Sequence, residues 1–169
     1  MREKTCCFTG HRDIPDKEYN DIRRKTKETI ITLIKKGVVF FGAGGALGYD
    51  TLAAETVLEL KREYPQIKLI LVLPCPEQTR GWKEEDIRKY NEIKDKADKY
   101  VYTADHYHRG CMHVRNRHLV DNSSYCICYL TKETGGTAYT VNYAKEQGLE
   151  VYNITSCVTT RVEHNKPAQ

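Results

Sequence analysis

Six short apolar runs, rich in Val, Ile, Phe and Tyr, recur at residues 5–9, 38–42, 68–73, 99–103, 125–130 and 150–154, each bounded by polar or glycine-bearing segments. Runs of this length and composition read as buried strands. The segments between them place apolar residues three or four apart, as in Ile22, Thr26, Ile30, Leu33 and Ile34, and again in Leu52, Ala53, Val57 and Leu60. That spacing puts one apolar stripe on a helix. Further helices are expected over residues 83–97, 114–122 and 137–147, the last closed by Gly148. Strict alternation of strand and helix with short connections argues for parallel strands joined by crossovers, so the expected fold is α/β: a doubly wound, mainly parallel sheet with helices on both faces. In such a sheet, ligands bind beyond the carboxyl ends of the strands.

A chain of 169 residues is the size of one core. Residues 1–155 are therefore read as one domain, and residues 156–169 as a flexible or partner-bound tail. No stretch approaches the 18 or so apolar residues of a membrane span, and the apolar run after the N-terminus is too brief for a secretory segment, so a cytoplasmic protein without a membrane partner is expected. Seven cysteines, an odd number set mostly among apolar neighbours, argue for reduced, packed thiols and against a disulfide framework. The net charge of +4 is spread along helices that also carry acids, which suits a small anionic ligand better than duplex DNA.

Three strand ends carry residues suited to an anion. After the second run comes Gly42-Ala-Gly44-Gly45-Ala-Leu-Gly-Tyr-Asp50, where glycines let backbone N–H groups approach a phosphate and the following helix adds its positive end. Leu47 stands where the dinucleotide fingerprint needs its third glycine, and no Gly-Lys-Ser/Thr follows, so neither standard phosphate motif applies. Asp50 either caps the helix or bonds ligand hydroxyls. After the fifth run, Gly135, Gly136 and Thr137 open another helix, with Thr140 one turn on. The first run ends Thr9-Gly10-His11-Arg12: the arginine offers bidentate donors for phosphate, and the histidine can stack or exchange a proton, unless both are simply solvated.

Gln78 and Trp82 lie in a proline- and glycine-bearing loop after the third run, placed to read and stack a base, with a Trp that merely fastens the loop as the alternative. Arg115 and Asn116 can reach the same crevice. The stretch from His106 to His113 suggests zinc, but it lacks a closed set of four ligands, and no metal site is expected. Cys126 and Cys128, two apart in one strand, should share a face and pack against a helix layer.

Taken in order, Cys-Cys-Phe-Thr-Gly-His-Arg at 6–12, Gly-Gly-Ala-Leu-Gly-Tyr-Asp-Thr-Leu-Ala-Ala-Glu at 44–55, Leu-Pro-Cys-Pro-Glu-Gln at 73–78 with Trp82, Arg115-Asn116 with Asp121, and Gly-Gly-Thr-Ala-Tyr-Thr-Val-Asn-Tyr-Ala at 135–144 resemble the YpsA-like branch of the SLOG superfamily. That branch is related to the LOG phosphoribohydrolases and to the Rossmann domain of DprA. The resemblance implies a Rossmann-like domain that binds a nucleotide or nucleotide-derived molecule as sensor, sponge or regulator, in a homodimer or larger homo-oligomer, with nucleic acid a less favoured partner and no cofactor. The LOG motif Pro-Gly-Gly-x-Gly-Thr-x-x-Glu is answered here by Thr134-Gly-Gly-Thr-Ala-Tyr-Thr-Val-Asn142, without the later glycine or the catalytic glutamate. An N-glycosidic hydrolase acting on a nucleoside monophosphate is the alternative, with Glu55 and Asp50 as its carboxylates.

Overall fold

The computed structural model describes residues 1–155. It contains six strands, β1 (Thr5–Gly10), β2 (Phe40–Ala43), β3 (Lys68–Leu73), β4 (Lys99–Tyr102), β5 (Tyr125–Tyr129) and β6 (Glu150–Asn153), and five α-helices, α1 (Asp16–Lys35), α2 (Tyr49–Leu60), α3 (Glu84–Lys96), α4 (Cys111–Asp121) and α5 (Gly136–Glu146). Every pairing is parallel, in the order β4-β3-β2-β1-β5-β6. The chain builds outward from β1 to β4 and then returns through α4 to the other side of β1, so the winding reverses between β1 and β5.

Side-chain alternation sorts the core into two layers. Phe8, Phe41, Leu69, Leu71, Leu73 and Ile127 point to one face, where Ile30 and Leu33 of α1, Leu52 and Val57 of α2 and Ile93 of α3 cover them. Cys7, Val72, Cys126 and Cys128 point to the other, under Leu119 and Val120 of α4 and Val141 and Ala144 of α5. The fold is thus the doubly wound arrangement that the alternation predicts, and the Rossmann-like one that the resemblance implies. The two β5 cysteines do share a face, and the six cysteines among the described residues are free and buried.

Two element starts differ from the sequence reading by more than one residue, for local reasons. Val38 does not open β2, because its N–H donates to Leu33 O at 3.0 Å while that of Gly37 donates to Ile34 O at 3.0 Å, a pair that closes α1. The helix α4 begins at Cys111, three residues before the predicted Val114. Gly110 is its N-cap, and no side chain caps it, so the usual Ser, Thr, Asp or Asn signal is missing. The expected tail from Ser156 lies outside the described residues.

Candidate functional site

Where the winding reverses, the loops after β1, β2 and β5 diverge and leave a cleft of about 220 Å³ at the carboxyl edge of the sheet. Thr9, Gly10 and Arg12 line it from β1, Ala46 and Asp50 from the β2 turn and α2, Gln78 and Trp82 from the loop after β3, Met112, Arg115 and Asn116 from α4, and Gly136 and Thr137 from α5. A larger groove, about 540 Å³, lies elsewhere, between α1, α2 and α3 among solvated charges such as Arg23, Glu59 and Lys96. Arg23 pairs with Glu59 and Lys89 with Glu55 across its lining.

The first turns of three helices, α2, α4 and α5, reach the cleft. Their N-caps are Gly48, Gly110 and Gly135, and none has a side-chain cap. Each first turn therefore leaves N–H groups without a side-chain acceptor, on the positive end of the helix dipole. The helices α4 and α5 have no acid in that turn, whereas α3 carries Glu84, Glu85 and Asp86 in its own. Negative charge is absent from the α4 and α5 starts, where an anionic ligand would supply it.

Two buried groups of opposite charge face this space. Arg115 is 5% exposed and Asp50 7%. Asp50 Oδ2 accepts from the N–H of Ala46 at 3.2 Å, so the carboxylate braces its own turn. Burial raises the Asp50 carboxyl above the ordinary aspartate range, against the pull of Arg115, of the backbone of Ala46 and Gly44, and of Arg12. Burial likewise lowers the Arg115 guanidinium, and the Asp50 charge opposes that. The two do not form an ion pair, because Arg115 is committed elsewhere. Its Nη1 donates to Gly44 O, and its Nε donates to Asn116 Oδ1 at 2.7 Å.

The Gly44 carbonyl takes a second donor, Gln78 Nε2, at 3.0 Å, and Gln78 Oε1 accepts from the hydroxyl of Tyr90 at 3.2 Å. Gly44 is required by close approach: a Cβ there would lie 2.6 Å from Arg115 Nη1. The neighbouring Gly45 packs against Leu73, Gln78 and Tyr90. Gln78 thus spends its amide holding the turn, while Trp82, edge-on to Tyr90 at 5.7 Å between centroids, is both fastened to α3 and present on the cleft wall.

His11 stands behind the cleft. Its Nε2 accepts the N–H of Thr131 at 2.9 Å, and its ring meets Tyr129 edge-on at 5.5 Å. Burial, helped by the nearby Lys132 charge, lowers its basicity, so the neutral ring with Nδ1 protonated fits this bond. His11 fixes the loop that leads to Gly135. Arg12 is exposed and makes no hydrogen bond or ion pair among the described residues, which leaves its guanidinium free toward the cleft.

Six predicted residues do not line the cleft: His11 stands behind it, Gly44, Gly45 and Gly135 belong to the turns that border it, and Thr140 and Glu55 are used elsewhere. Thr140 is buried and returns its hydroxyl to Gly136 O at 3.0 Å, one turn back in α5. Glu55 lies on the outer side of α2, in the larger groove, 3.4 Å from Lys89 Nζ. Five residues is about 1.4 helical turns, which carries Glu55 well around the helix from Asp50. Asp50 and Glu55 thus line different spaces, Asp50 the cleft and Glu55 the groove. Conversely, Ala46 and Met112 line the cleft without having been foreseen. Ala46 carries no chemical signal, and Met112 precedes the helix start that the sequence suggests. No group of three or more metal-ligating side chains occurs among the described residues, and no helix there is long and apolar enough to cross a membrane.

Comparison with known proteins places this cleft in context. Residues 7–161 match the model of the YspA SLOG family. A protein of Halalkalibacterium halodurans called UPF0398 is 32% identical over 137 residues, covering 79% of this chain and 72% of that protein. Among solved structures, DNA processing protein A from Helicobacter pylori, described for its single-stranded DNA binding mode, superposes with a TM-score of 0.61 at 20% identity, over 87% of this chain and 63% of that one. DNA processing protein A from Streptococcus pneumoniae gives a TM-score of 0.63 at 16% identity, over 88% and 49%. At such identities the structural likeness is one of fold.

Proposed function

We propose, for a chain that belongs to the YspA SLOG family, that the cleft binds a nucleotide or nucleotide-derived small molecule and that the protein acts by holding it, as a sensor, sponge or regulator. The observation that carries this reading is the convergence of three helix N-termini without side-chain caps on a space that also holds the free guanidinium of Arg12. Backbone N–H groups of Gly136 and Thr137, the Thr137 hydroxyl and Arg12 suit a phosphate. Asp50, with an acceptor oxygen to spare, suits the hydroxyls of a sugar. Trp82 suits a base. At about 220 Å³ the cleft matches one nucleotide better than a strand, although the Helicobacter pylori DNA processing protein A, which shares this fold, is described for a single-stranded DNA binding mode.

Binding is favoured over cleavage because Asp50 is the sole carboxylate among the lining residues. The hydrolytic reading rests on that one group: a carboxyl whose proton is held more tightly by burial is suited to protonate a leaving base. Thermal-shift and calorimetric titration with a panel of nucleotides, nucleotide sugars and a short oligonucleotide tests the proposal. Saturable binding by a small nucleotide, weakened in Arg12→Ala, is expected. A panel without any stabilising species overturns it, and release of free base lost in Asp50→Asn decides for the hydrolase. Assembly into a homodimer or larger oligomer in the cytoplasm belongs to the same proposal and is read by light scattering of the purified protein and by fractionation.

A further inference from the structure

His11 joins three segments at the point where β1 leaves the sheet. Its N–H donates to Tyr129 O at the end of β5, at 3.3 Å, and its carbonyl accepts the N–H of Tyr49, the first residue of α2, at 3.1 Å. The third bond is made by the ring, whose Nε2 accepts the N–H of Thr131 at 2.9 Å. Leu130, one residue earlier, is held from β6: Asn153 Oδ1 accepts its N–H at 3.3 Å and Asn153 Nδ2 donates to its carbonyl at 3.0 Å. Beyond Thr131, the residues Lys132, Glu133 and Thr134 make no hydrogen bond among the described residues. Gly135 then caps α5, and Gly136 and Thr137 line the cleft. The His11 ring is thus the last tie on the chain before the α5 end of the site.

An imidazole nitrogen that accepts an N–H bond must offer a lone pair, so this bond exists only while His11 is neutral, with its proton on Nδ1. A second proton, added at Nε2, meets the Thr131 N–H donor to donor, and the half-buried ring turns to water instead. We infer that His11 is the positioning residue of the α5 anion turn and holds it only while neutral, so that acid releases the loop after β5 and weakens anion binding in the cleft. The inference rests on the reading of the cleft as an anion site and adds proton control to it.

The groups around His11 set the direction of its titration. From the loop after β5 it meets the charge of Lys132, from β5 the edge of the Tyr129 ring at 5.5 Å, and on its own loop it is followed by Arg12 and Asp13. From α2, Tyr49 presents its backbone, while its ring packs on Tyr129 at 5.8 Å and its hydroxyl pairs with that of Thr26 in α1. Glu18 of α1 acts on the Tyr129 hydroxyl and not on the histidine. Burial, and after it the Lys132 charge, holds the ring below the ordinary histidine value. The bond is therefore intact at neutral pH and is lost as pH falls through the depressed folded value, and the stability it contributes is lost with it.

Sulfate is the probe, because its charge is constant where histidine titrates, about pH 5 to 8. His11→Gln is the comparator: its amide oxygen accepts an N–H bond and takes up no proton. Asp50 and the other titrating groups are common to both proteins, so the ratio of their sulfate affinities at each pH isolates the histidine. From about pH 8 to about pH 5 the wild type should lose affinity relative to His11→Gln by about fivefold or more, the scale of a modest coupling between two sites. By reciprocity, saturating sulfate should lower the NMR titration midpoint of the His11 ring. A raised midpoint, as plain attraction between imidazolium and sulfate gives, overturns the inference, and so does a level ratio. A measurement without any anion separates this inference from the binding proposal. The amide proton resonance of Thr131 should move upfield with the midpoint of the His11 ring, and stay in place in His11→Gln. A resonance that ignores the titration overturns the inference even where sulfate binds. The expected movement without sulfate binding at any pH supports the His11 tie and counts against the binding proposal instead.

Discussion

Arg115 and Gln78 reach the Gly44 carbonyl from different walls of the cleft, one from α4 and one from the loop after β3, and together fix the turn whose next residues open α2. Arg115 does this with a planar fork that also bonds Asn116. Lysine, a single point of charge, cannot span both acceptors. Arg115→Lys should therefore destabilise the fold by about 1–3 kcal/mol in urea unfolding, the cost of leaving a buried acceptor short of a donor. It should also weaken nucleotide binding in calorimetry by tenfold or more.

Asp50 predicts a stability that depends on pH in a stated direction. Its carboxyl is raised by burial in the folded state, so the folded protein holds that proton more tightly than the unfolded chain does. The cost of ionising it is absent below the unfolded pKa and grows as pH rises through the interval up to the raised folded value. Asp50→Asn removes this cost. The variant should match the wild type at acid pH, be as stable or more stable at pH 7, and lose nucleotide affinity by about tenfold or more for want of a charged acceptor. A variant less stable at pH 7 than at acid pH, relative to wild type, contradicts this.

Gly10 stands where β1 gives way to the site, and a Cβ there would lie 2.5 Å from Cβ of Tyr49, whose side chain is fully buried. The near end of a core side chain cannot swing aside. Gly10→Ala should cost about 1–3 kcal/mol or more by overpacking, seen as a lowered denaturation midpoint with an unchanged slope.

Glu55 sits opposite Lys89 in the groove between α2 and α3. Glu55→Gln should leave nucleotide affinity within twofold of wild type and change stability by no more than about 0.5–1 kcal/mol, the scale of a partly solvated ion pair. Loss of binding in this variant would mean that the groove, and not the sheet edge, holds the ligand.

The order of strands and helices was legible because both periodicities are written in apolar residues: Phe8 and Phe41 against Cys7 in the strands, Ile30 and Leu33 in α1. The sheet edge was legible too, since parallel strands deliver Thr9, Arg12, Gly44, Gly136 and Thr137 to one end whatever the details of packing. Less legible was the start of α4, where a left-handed Gly110 replaces the usual cap and brings Met112 into the cleft.

Sequence alone thus determined the layers, the parallel sheet and the carboxyl edge at which the candidate site lies, because these follow from short-range pattern and from the handedness of crossovers. Tertiary structure decided how each polar group is used. Gln78 and Arg115 converge on a carbonyl that neither neighbours in sequence, Thr140 turns back on its own helix, and Glu55 departs from Asp50 by the pitch of α2. Partners across loops are set by packing over distances of 30 residues or more, as with Gln78 and Gly44, 34 positions apart. No local pattern records them.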